Sequence, residues 1–164
     1  MRHLITALLC TLFCTICFAE NKVSVIEYCP APGQFVNTLP IIESENDVLQ
    51  KAQQNLERGS MVSLGAFGGY MIVKFDQPLA NIEGNDFIIL GNAFATSAEP
   101  GVVMVSSDAN QNGIADDRWY EIAGSEYARS TKNYEITYYR PTAENDASKE
   151  AIEEYIRWKD NQSN

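Results

Sequence analysis

The fold is decided by residues 102–123, which read VVMVSSDANQNGIADDRWYEIA. This stretch begins and ends with β-branched and aromatic residues, which favour strands. Asp, Asn and Gly predominate between these ends, and they are typical of tight turns. The pattern therefore predicts two antiparallel strands joined by a long polar connection.

Counted from Asp108, the connection has the spacing of a calcium-binding loop. Such loops place side-chain oxygens at positions 1, 3 and 5, Gly at position 6, a backbone carbonyl at position 7 and a further oxygen at position 9. We expect Ca²⁺ ligands from Asp108, Asn110, Asn112, Ile114 and Asp116, and a further carboxylate from Asp117, from Glu121 or from elsewhere in the fold. Position 12 is Trp119 where an EF-hand has Glu, so the loop is not an EF-hand. The alternative is an Asx-rich turn that binds no metal.

Residues 1–19 are predicted to be a secretory signal peptide. They combine a basic start at Arg2 with an apolar run and a small residue, Ala19, before the expected cleavage site. The run of about 15 residues is shorter than the roughly 20 that cross a bilayer, so we expect no stable membrane insertion after cleavage. A transmembrane anchor and a lipoprotein are the alternatives. We expect export to the periplasm, the cell surface or the medium.

Cleavage restricts the chemistry of the mature chain, because it removes the only histidine, His3. A chain without histidine has no Ser-His-Asp or Cys-His mechanism and no imidazole for catalytic zinc. Cys29 is then the one remaining cysteine, so no intrachain disulfide is expected. We expect the Cys29 side chain to be buried as a small apolar group. Loss of Arg2 leaves 11 basic against 22 acidic residues, a net charge of −11. Nucleic acid and anionic membranes are therefore not expected as partners.

The predicted fold is mainly β, an antiparallel β-sandwich of jelly-roll type that is complete or a fragment of a longer one. We expect residues 20–164 to form this single domain. The expected strands are 23–28, 61–67, 70–76, 86–90, 102–107, 119–123 and 133–139, and the second and third form a hairpin around Gly68 and Gly69. One short helix is expected near 45–57, from Ser44 to Gly59, and a C-terminal helix near 146–158. With a helix at this end, a sheet edge is expected to stay open.

Several segments resemble a group of Bacteroidetes-type cell-surface proteins. The resemblance is carried by YCPAPGQFVN (residues 28–37), KFDQP (74–78), DFIILGNAF (86–94), EPGVVMV (99–105), the polar connection and WYEIAGSEY (119–127). It covers nearly the whole mature chain. It implies an extracellular β-sandwich related to jelly-roll carbohydrate-binding modules, in proteins that capture nutrients or adhere, some beside systems that import glycans or cobalamin. Members usually continue beyond the part that matches residues 155–162, which implies further strands.

The favoured function is a secreted, calcium-stabilised module that binds a glycan or another small extracellular ligand. Candidate ligand contacts are two aromatic and two polar residues, Trp119, Tyr120, Asn92 and Glu99. Aromatic faces suit sugar rings, although one of two adjacent strand residues packs inward. A second class is a structural or adhesive module, or a truncated relative. An enzyme is least favoured, and it would be a glycosidase with a carboxylate pair drawn from Glu99, Glu121 and Glu126.

Overall fold

The computed structural model describes residues 22–32, 44–139 and 157–162, and within them the chain forms antiparallel strands and one helix. The elements are β1 (Val23–Cys29), α1 (Glu45–Glu57), β2 (Tyr70–Phe75), β3 (Ala93–Phe94), β4 (Ser97–Ala98), β5 (Met104–Val105), β6 (Tyr120–Glu121), β7 (Ile136–Tyr139) and β8 (Arg157–Asp160). These strands pair as four two-stranded sheets, β1–β2, β3–β4, β5–β6 and β7–β8, without closing a barrel in the described ranges. The mainly β, antiparallel character is confirmed. The sandwich stays a prediction.

Helix α1 packs on β1 and satisfies part of its backbone. Ala52, 2% exposed, lies at the helix face that contacts the strand. The Gln53 amide donates from Nε2 to the Val23 carbonyl (3.1 Å) and accepts through Oε1 from the Val25 N–H (2.7 Å). These hydrogen bonds matter because an unpaired strand backbone invites other strands. Helix and sheet are thus joined by polar as well as apolar contact.

The ends of α1 follow the signals in the sequence, and the prediction for this helix is confirmed. Ser44 is the N-cap, with its Oγ accepting from the Asp47 N–H at 3.3 Å and donating to the Asp47 carboxylate at 2.8 Å. At the other end the Gly59 N–H donates to the Leu56 carbonyl and the Ser60 N–H to the Asn55 carbonyl. This is a Schellman motif, which requires the positive φ of +66° that Gly59 adopts.

Gly69 allows a close approach between three segments of the chain. The Ala31 N–H donates to the Leu64 carbonyl at 2.9 Å, directly beside Gly69. A Cβ on Gly69 would lie 1.8 Å from the Leu64 oxygen and 2.7 Å from the Ala31 nitrogen. Nearby, the Tyr28 hydroxyl donates to the Ser63 carbonyl at 2.5 Å. The end of β1 and residues 63–64 are therefore fixed together.

The predicted hairpin around Gly68 and Gly69 is wrong. Strand β2 pairs with β1, and residues 61–67 form no strand. A type I′ turn needs positive φ at both central residues, but of these two only Gly68 has it, at +89°. Gly69 instead allows the close approach of the Leu64 and Ala31 backbones.

The predicted strand 86–90 is also not formed, and Ile88 and Leu90 there are 75% and 89% exposed.

The predicted C-terminal helix is not shown, and its last residues are in a strand. Arg157 and Trp158 belong to β8, which pairs with β7, while residues 146–156 lie outside the described ranges. Tyr138 and Trp158 are cross-strand partners in this pairing. The apolar positions that indicated this helix, up to Ile156, all precede the described strand. A partner strand that the local sequence does not reveal decides the conformation of these four residues.

Cys29 is exposed at the end of β1, so the expectation of a buried thiol is wrong. Its position opposite Tyr70, just before Pro30, is at the margin of the β1–β2 sheet.

The predicted signal peptide, residues 1–19, lies outside the described residues. Where the structure describes the chain, it contains no helix with the length and apolar character needed to cross a bilayer.

Four tyrosine hydroxyls connect segments that are far apart in the sequence. They donate as follows: Tyr28 to the Ser63 carbonyl, Tyr70 to the Glu27 carboxylate, Tyr134 to the Asp160 carboxylate and Tyr138 to the Phe67 carbonyl. Burial raises the pKa of Tyr28 and Tyr138. Desolvation and then the hydrogen bond to Asp160 raise the pKa of Tyr134, and the bond to Glu27 raises that of Tyr70. All four favour the neutral phenol in the folded chain.

We predict that Gly69→Ala destabilises the fold by about 1–3 kcal/mol, because its methyl group overlaps the Leu64 carbonyl. Chemical denaturation measures the change. The control is Gly124→Ala, where an added Cβ meets no atom within 4 Å, and its effect should stay within about 0.5 kcal/mol. Equal stability of the two variants would contradict the close approach.

We predict that the folded chain loses stability as pH rises above about 10, the pKa of an unfolded tyrosine. Because the folded pKa values are raised, the stabilisation is complete below that pH and disappears as pH passes through the folded values. Tyr28→Phe should reduce the loss, as measured by urea unfolding at pH 8 to 11. Tyr127→Phe is the control, since its hydroxyl donates no hydrogen bond within the described residues. An identical pH dependence in Tyr28→Phe and the wild type would refute the assignment.

Candidate functional site

The polar connection is held between β5 and β6 as predicted from residues 102–123, although the strands are shorter. Met104 pairs with Glu121 and Val105 with Tyr120. The pairing is extended by the Ile122 N–H, which donates to the Val103 carbonyl at 2.9 Å. On the loop side, Ser106 Oγ donates to the Arg118 carbonyl at 3.0 Å. The two ends of the connection are therefore close together.

Asp108 organises the first half of the connection. Its Oδ1 accepts from the Asn112 N–H at 3.0 Å and its Oδ2 from the Gly113 N–H at 2.9 Å. The Asn110 Oδ1 also accepts from the Asn112 N–H at 3.0 Å, and the Asn112 Oδ1 accepts from the Ile114 N–H at 2.7 Å. The side-chain oxygens at positions 1, 3 and 5 thus all turn towards the backbone of the same loop.

Asp116 and Asp117 close the second half onto the first. Asp116 accepts from the side-chain amides of Asn110 (3.3 Å) and Asn112 (3.1 Å to Oδ2 and 3.3 Å to Oδ1). Asp117 Oδ2 accepts from the Ala109 N–H at 3.0 Å. The predicted metal-ligand residues are therefore brought together by the fold. Ile114, which is predicted to contribute its backbone carbonyl, follows directly after Gly113 and has an exposed side chain.

Two residues of the loop have positive φ, and one of them lies against another sheet. Gln111 has φ +58° and Gly113 has φ +76°. A Cβ on Gly113 would lie 3.4 Å from the Nζ atom of Lys74, a residue of β2. An ammonium group from the β1–β2 sheet is therefore next to the carboxylate-rich loop. Lys74 is a neighbour that the local spacing could not reveal.

The donor set fits a hard cation, because it consists of carboxylate and amide oxygens. Each oxygen of Asp108 accepts one N–H, and a carboxylate oxygen has a second lone pair. Within the described ranges, no three side chains of the types His, Cys, Asp and Glu are placed to hold a metal ion together. A cation in this loop would therefore depend on the Asn110 and Asn112 amides and the Ile114 carbonyl as well as on carboxylates.

Trp119 and Tyr120 lie on different sides of the strand end. Trp119 is half-buried, and its indole Nε1 donates to the Ala115 carbonyl at 3.4 Å, inside the connection. Tyr120 is 54% exposed, with the Arg118 guanidinium 5.0 Å from its ring centroid. This arrangement follows from strand alternation. Trp119 packs against the loop, and Tyr120 is the exposed ring of the two.

Asn92 and Glu99, the other two predicted ligand contacts, are paired with each other at the base of the β3–β4 hairpin. Asn92 Nδ2 donates to Glu99 Oε2 at 3.1 Å, and the Glu99 N–H donates to the Asn92 carbonyl at 3.2 Å. In the described part of the chain, no hydrogen bond or ring contact joins either residue to Trp119 or Tyr120. The four predicted contacts therefore form two separate groups.

The three candidate acids for a glycosidase have separate partners. Glu99 accepts from Asn92, Glu121 lies 3.6 Å from the Lys132 ammonium, and Glu126 accepts from Arg129 at 2.5 Å. No hydrogen bond joins any two of the three carboxyl groups within the described residues.

Sequence reasoning missed the basic side chains that lie on tyrosine rings. Arg118 lies over Tyr120, and the Lys132 ammonium is 3.3 Å from the centroid of the Tyr127 ring. Arg118 could have been found, because residues two apart share one face of a strand. Lys132 follows a turn, and no periodicity indicates its contact with Tyr127. Cations on aromatic faces are thus a feature of the exposed surface.

No model of a known protein family matches this chain, and no curated protein sequence matches it significantly. The resemblance to Bacteroidetes-type surface proteins therefore stays an expectation.

Proposed function

We propose that the chain is an exported, calcium-stabilised β-sandwich module that binds an extracellular glycan or another small nutrient ligand at the cell surface. The observation that carries this proposal is the β5–β6 connection, where the predicted oxygen ligands are gathered into one loop. In this proposal a surface transport system receives the captured ligand.

Calcium would stabilise the loop by neutralising its clustered carboxylates. The residues that would hold it are Asp108, Asn110, Asn112, Ile114, Asp116 and Asp117. Asp116 and Asp117 are adjacent in the sequence, and Asp108 lies in the same loop, so their mutual repulsion opposes folding. In the structure, the side-chain amides of Asn110 and Asn112 donate hydrogen bonds to the Asp116 carboxylate. A divalent cation supplies the positive charge that these neutral amides supply only in part.

The ligand platform in this proposal is Tyr120, supported by the loop below it. Tyr120 offers a flat apolar ring with a hydroxyl, which suits the faces of sugar rings. Arg118 beside it is a hydrogen-bond donor for ligand oxygens. Trp119 holds the platform to the connection through the Ala115 carbonyl. Asn92 and Glu99 present a second polar group, on the β3–β4 hairpin.

A structural or adhesive module is the alternative that one observation favours. Large apolar side chains are exposed in the described chain, among them Ile88, Leu90, Phe94 and Val102. Such surface is covered in stable proteins or used for contact. The sandwich that we propose would cover it with a second sheet, whereas an adhesive protein would cover it with a partner.

We predict that Ca²⁺ raises the melting temperature by several degrees at saturating concentration, because a ligand that binds the folded state stabilises it. Differential scanning calorimetry with calcium and with chelator measures the shift. Asp108→Ala should abolish it.

The matched control for this prediction is Asp86→Ala. Asp86 also accepts a backbone N–H, that of Ile82 at 3.1 Å, but it lies outside the loop. Its variant should keep the full calcium shift. Identical melting of the wild type with calcium and with chelator would remove the metal from the proposal.

We predict that a glycan bound by the wild type on a glycan array is lost in Tyr120→Ala, because the exposed ring provides the packing surface. Tyr127→Ala is the control, since Tyr127 is an exposed ring on another segment. Equal binding by Tyr120→Ala and the wild type would exclude this platform.

A further inference from the structure

The β7–β8 ribbon has one face that is exposed and basic. Thr137 pairs with Lys159 and Tyr139 with Arg157. Because side chains two apart in a strand point to the same side, these four residues share one face. All four are exposed, whereas Ile136 and Tyr138, which alternate with them, are half-buried. We call Thr137, Tyr139, Arg157 and Lys159 the ribbon face.

Two cations of the ribbon face lie at one aromatic ring. The Arg157 Cζ is 5.8 Å and the Lys159 Nζ is 5.9 Å from the centroid of Tyr139. The ion pairs among the described residues involve other groups, Arg129 with Glu126 and Lys132 with Glu121. Like charges on one ring repel each other. Their proximity is notable in a chain whose net charge is −10.

The neighbouring carboxylate does not belong to this face. Asp160 follows Lys159 in β8, so its side chain points to the opposite side of the ribbon. Its carboxylate accepts from the Tyr134 hydroxyl at 3.0 Å and from the Gln162 N–H at 2.9 Å. The ribbon face therefore presents positive charge to solvent in the described structure, and an anionic group is complementary to it.

We propose that the ribbon face binds a carboxylated glycan. Arg157 matches the planar carboxylate of a uronic acid with two parallel N–H groups, and Lys159 adds a second positive charge. Tyr139 provides a flat surface for the pyranose ring, and the Thr137 hydroxyl donates to or accepts from ring hydroxyls. An acidic peptide could also use the two cations, so the test includes a polymer of acidic residues. This proposal rests on the proposed glycan-binding function for its class of ligand. It places the acidic glycan at the ribbon face, on residues other than Tyr120.

The test measures binding of the intact protein to polygalacturonate by isothermal titration calorimetry at low and moderate salt. The variants are Lys159→Gln alone and the double variant R157Q/K159Q. The matched control is K51Q/R58Q, which removes the same charge from exposed positions at α1. Melting curves confirm that each variant is folded. The polymers for comparison are carboxyl-reduced polygalacturonate and polyglutamate.

The wild type should bind polygalacturonate, more weakly as salt rises, and should not bind the reduced polymer. Removing both cations should weaken binding at least about tenfold, because one hydrogen bond to a charged group already contributes about a factor of ten in affinity. Lys159→Gln should weaken binding less, because Arg157 remains. K51Q/R58Q should bind like the wild type. The proposal is overturned if polygalacturonate does not bind, if both double variants lose affinity equally, or if polyglutamate binds as well as polygalacturonate.

Tyr120→Ala separates this proposal from the function proposed for the β5–β6 loop. Retained polygalacturonate binding in Tyr120→Ala, with loss in R157Q/K159Q, supports the ribbon face even if no neutral glycan binds Tyr120. The reverse pattern would place the acidic glycan at Tyr120 and overturn the ribbon face while the loop function stands.

Discussion

The carboxylate of Asp108 is the constraint on which the β5–β6 connection depends. Its two oxygens accept from the Asn112 and Gly113 N–H groups, which closes the first turn of the loop. With that turn closed, the amides of Asn110 and Asn112 reach Asp116, and the indole of Trp119 reaches the Ala115 carbonyl. The exposure of Tyr120 follows, because Trp119 is the residue that packs inward. Metal binding and ligand binding are therefore proposed for one continuous unit.

Local signals predicted the parts of the fold that depend on near neighbours. Ser44 and Gly59 bound α1 because capping needs only residues within one turn, and the Asp, Asn and Gly residues predicted a polar connection between two strands. The prediction of a hairpin at Gly68 and Gly69 was wrong because Gly69 is required by the close approach of the Leu64 and Ala31 backbones, which the local sequence does not reveal. β8 was missed because its partner, β7, decides its conformation. Lys74 beside Gly113 could not be predicted for the same reason.

The distribution of charge connects the two proposed binding surfaces. The chain carries 22 acidic and 12 basic residues, yet several of its exposed cations lie on tyrosine rings. In the two proposals, the Tyr120 or Tyr139 ring packs on the apolar face of a saccharide while the neighbouring cation binds its polar groups. At Tyr120 one arginine accompanies the ring, and at Tyr139 two cations do. We therefore propose neutral sugars as ligands of the first surface and acidic sugars as ligands of the second.

Terbium luminescence is a sharp test for calcium in the β5–β6 loop, because Tb³⁺ occupies oxygen-rich calcium sites and emits when an adjacent tryptophan is excited at wavelengths that tyrosine does not absorb. Trp119 follows the loop directly, and the second of the two tryptophans, Trp158, is in β8. We expect sensitised emission that Ca²⁺ suppresses, that Trp119→Phe removes and that Trp158→Phe leaves intact. Emission that is absent, or that persists in Trp119→Phe and Asp108→Ala, would contradict a calcium site in this loop.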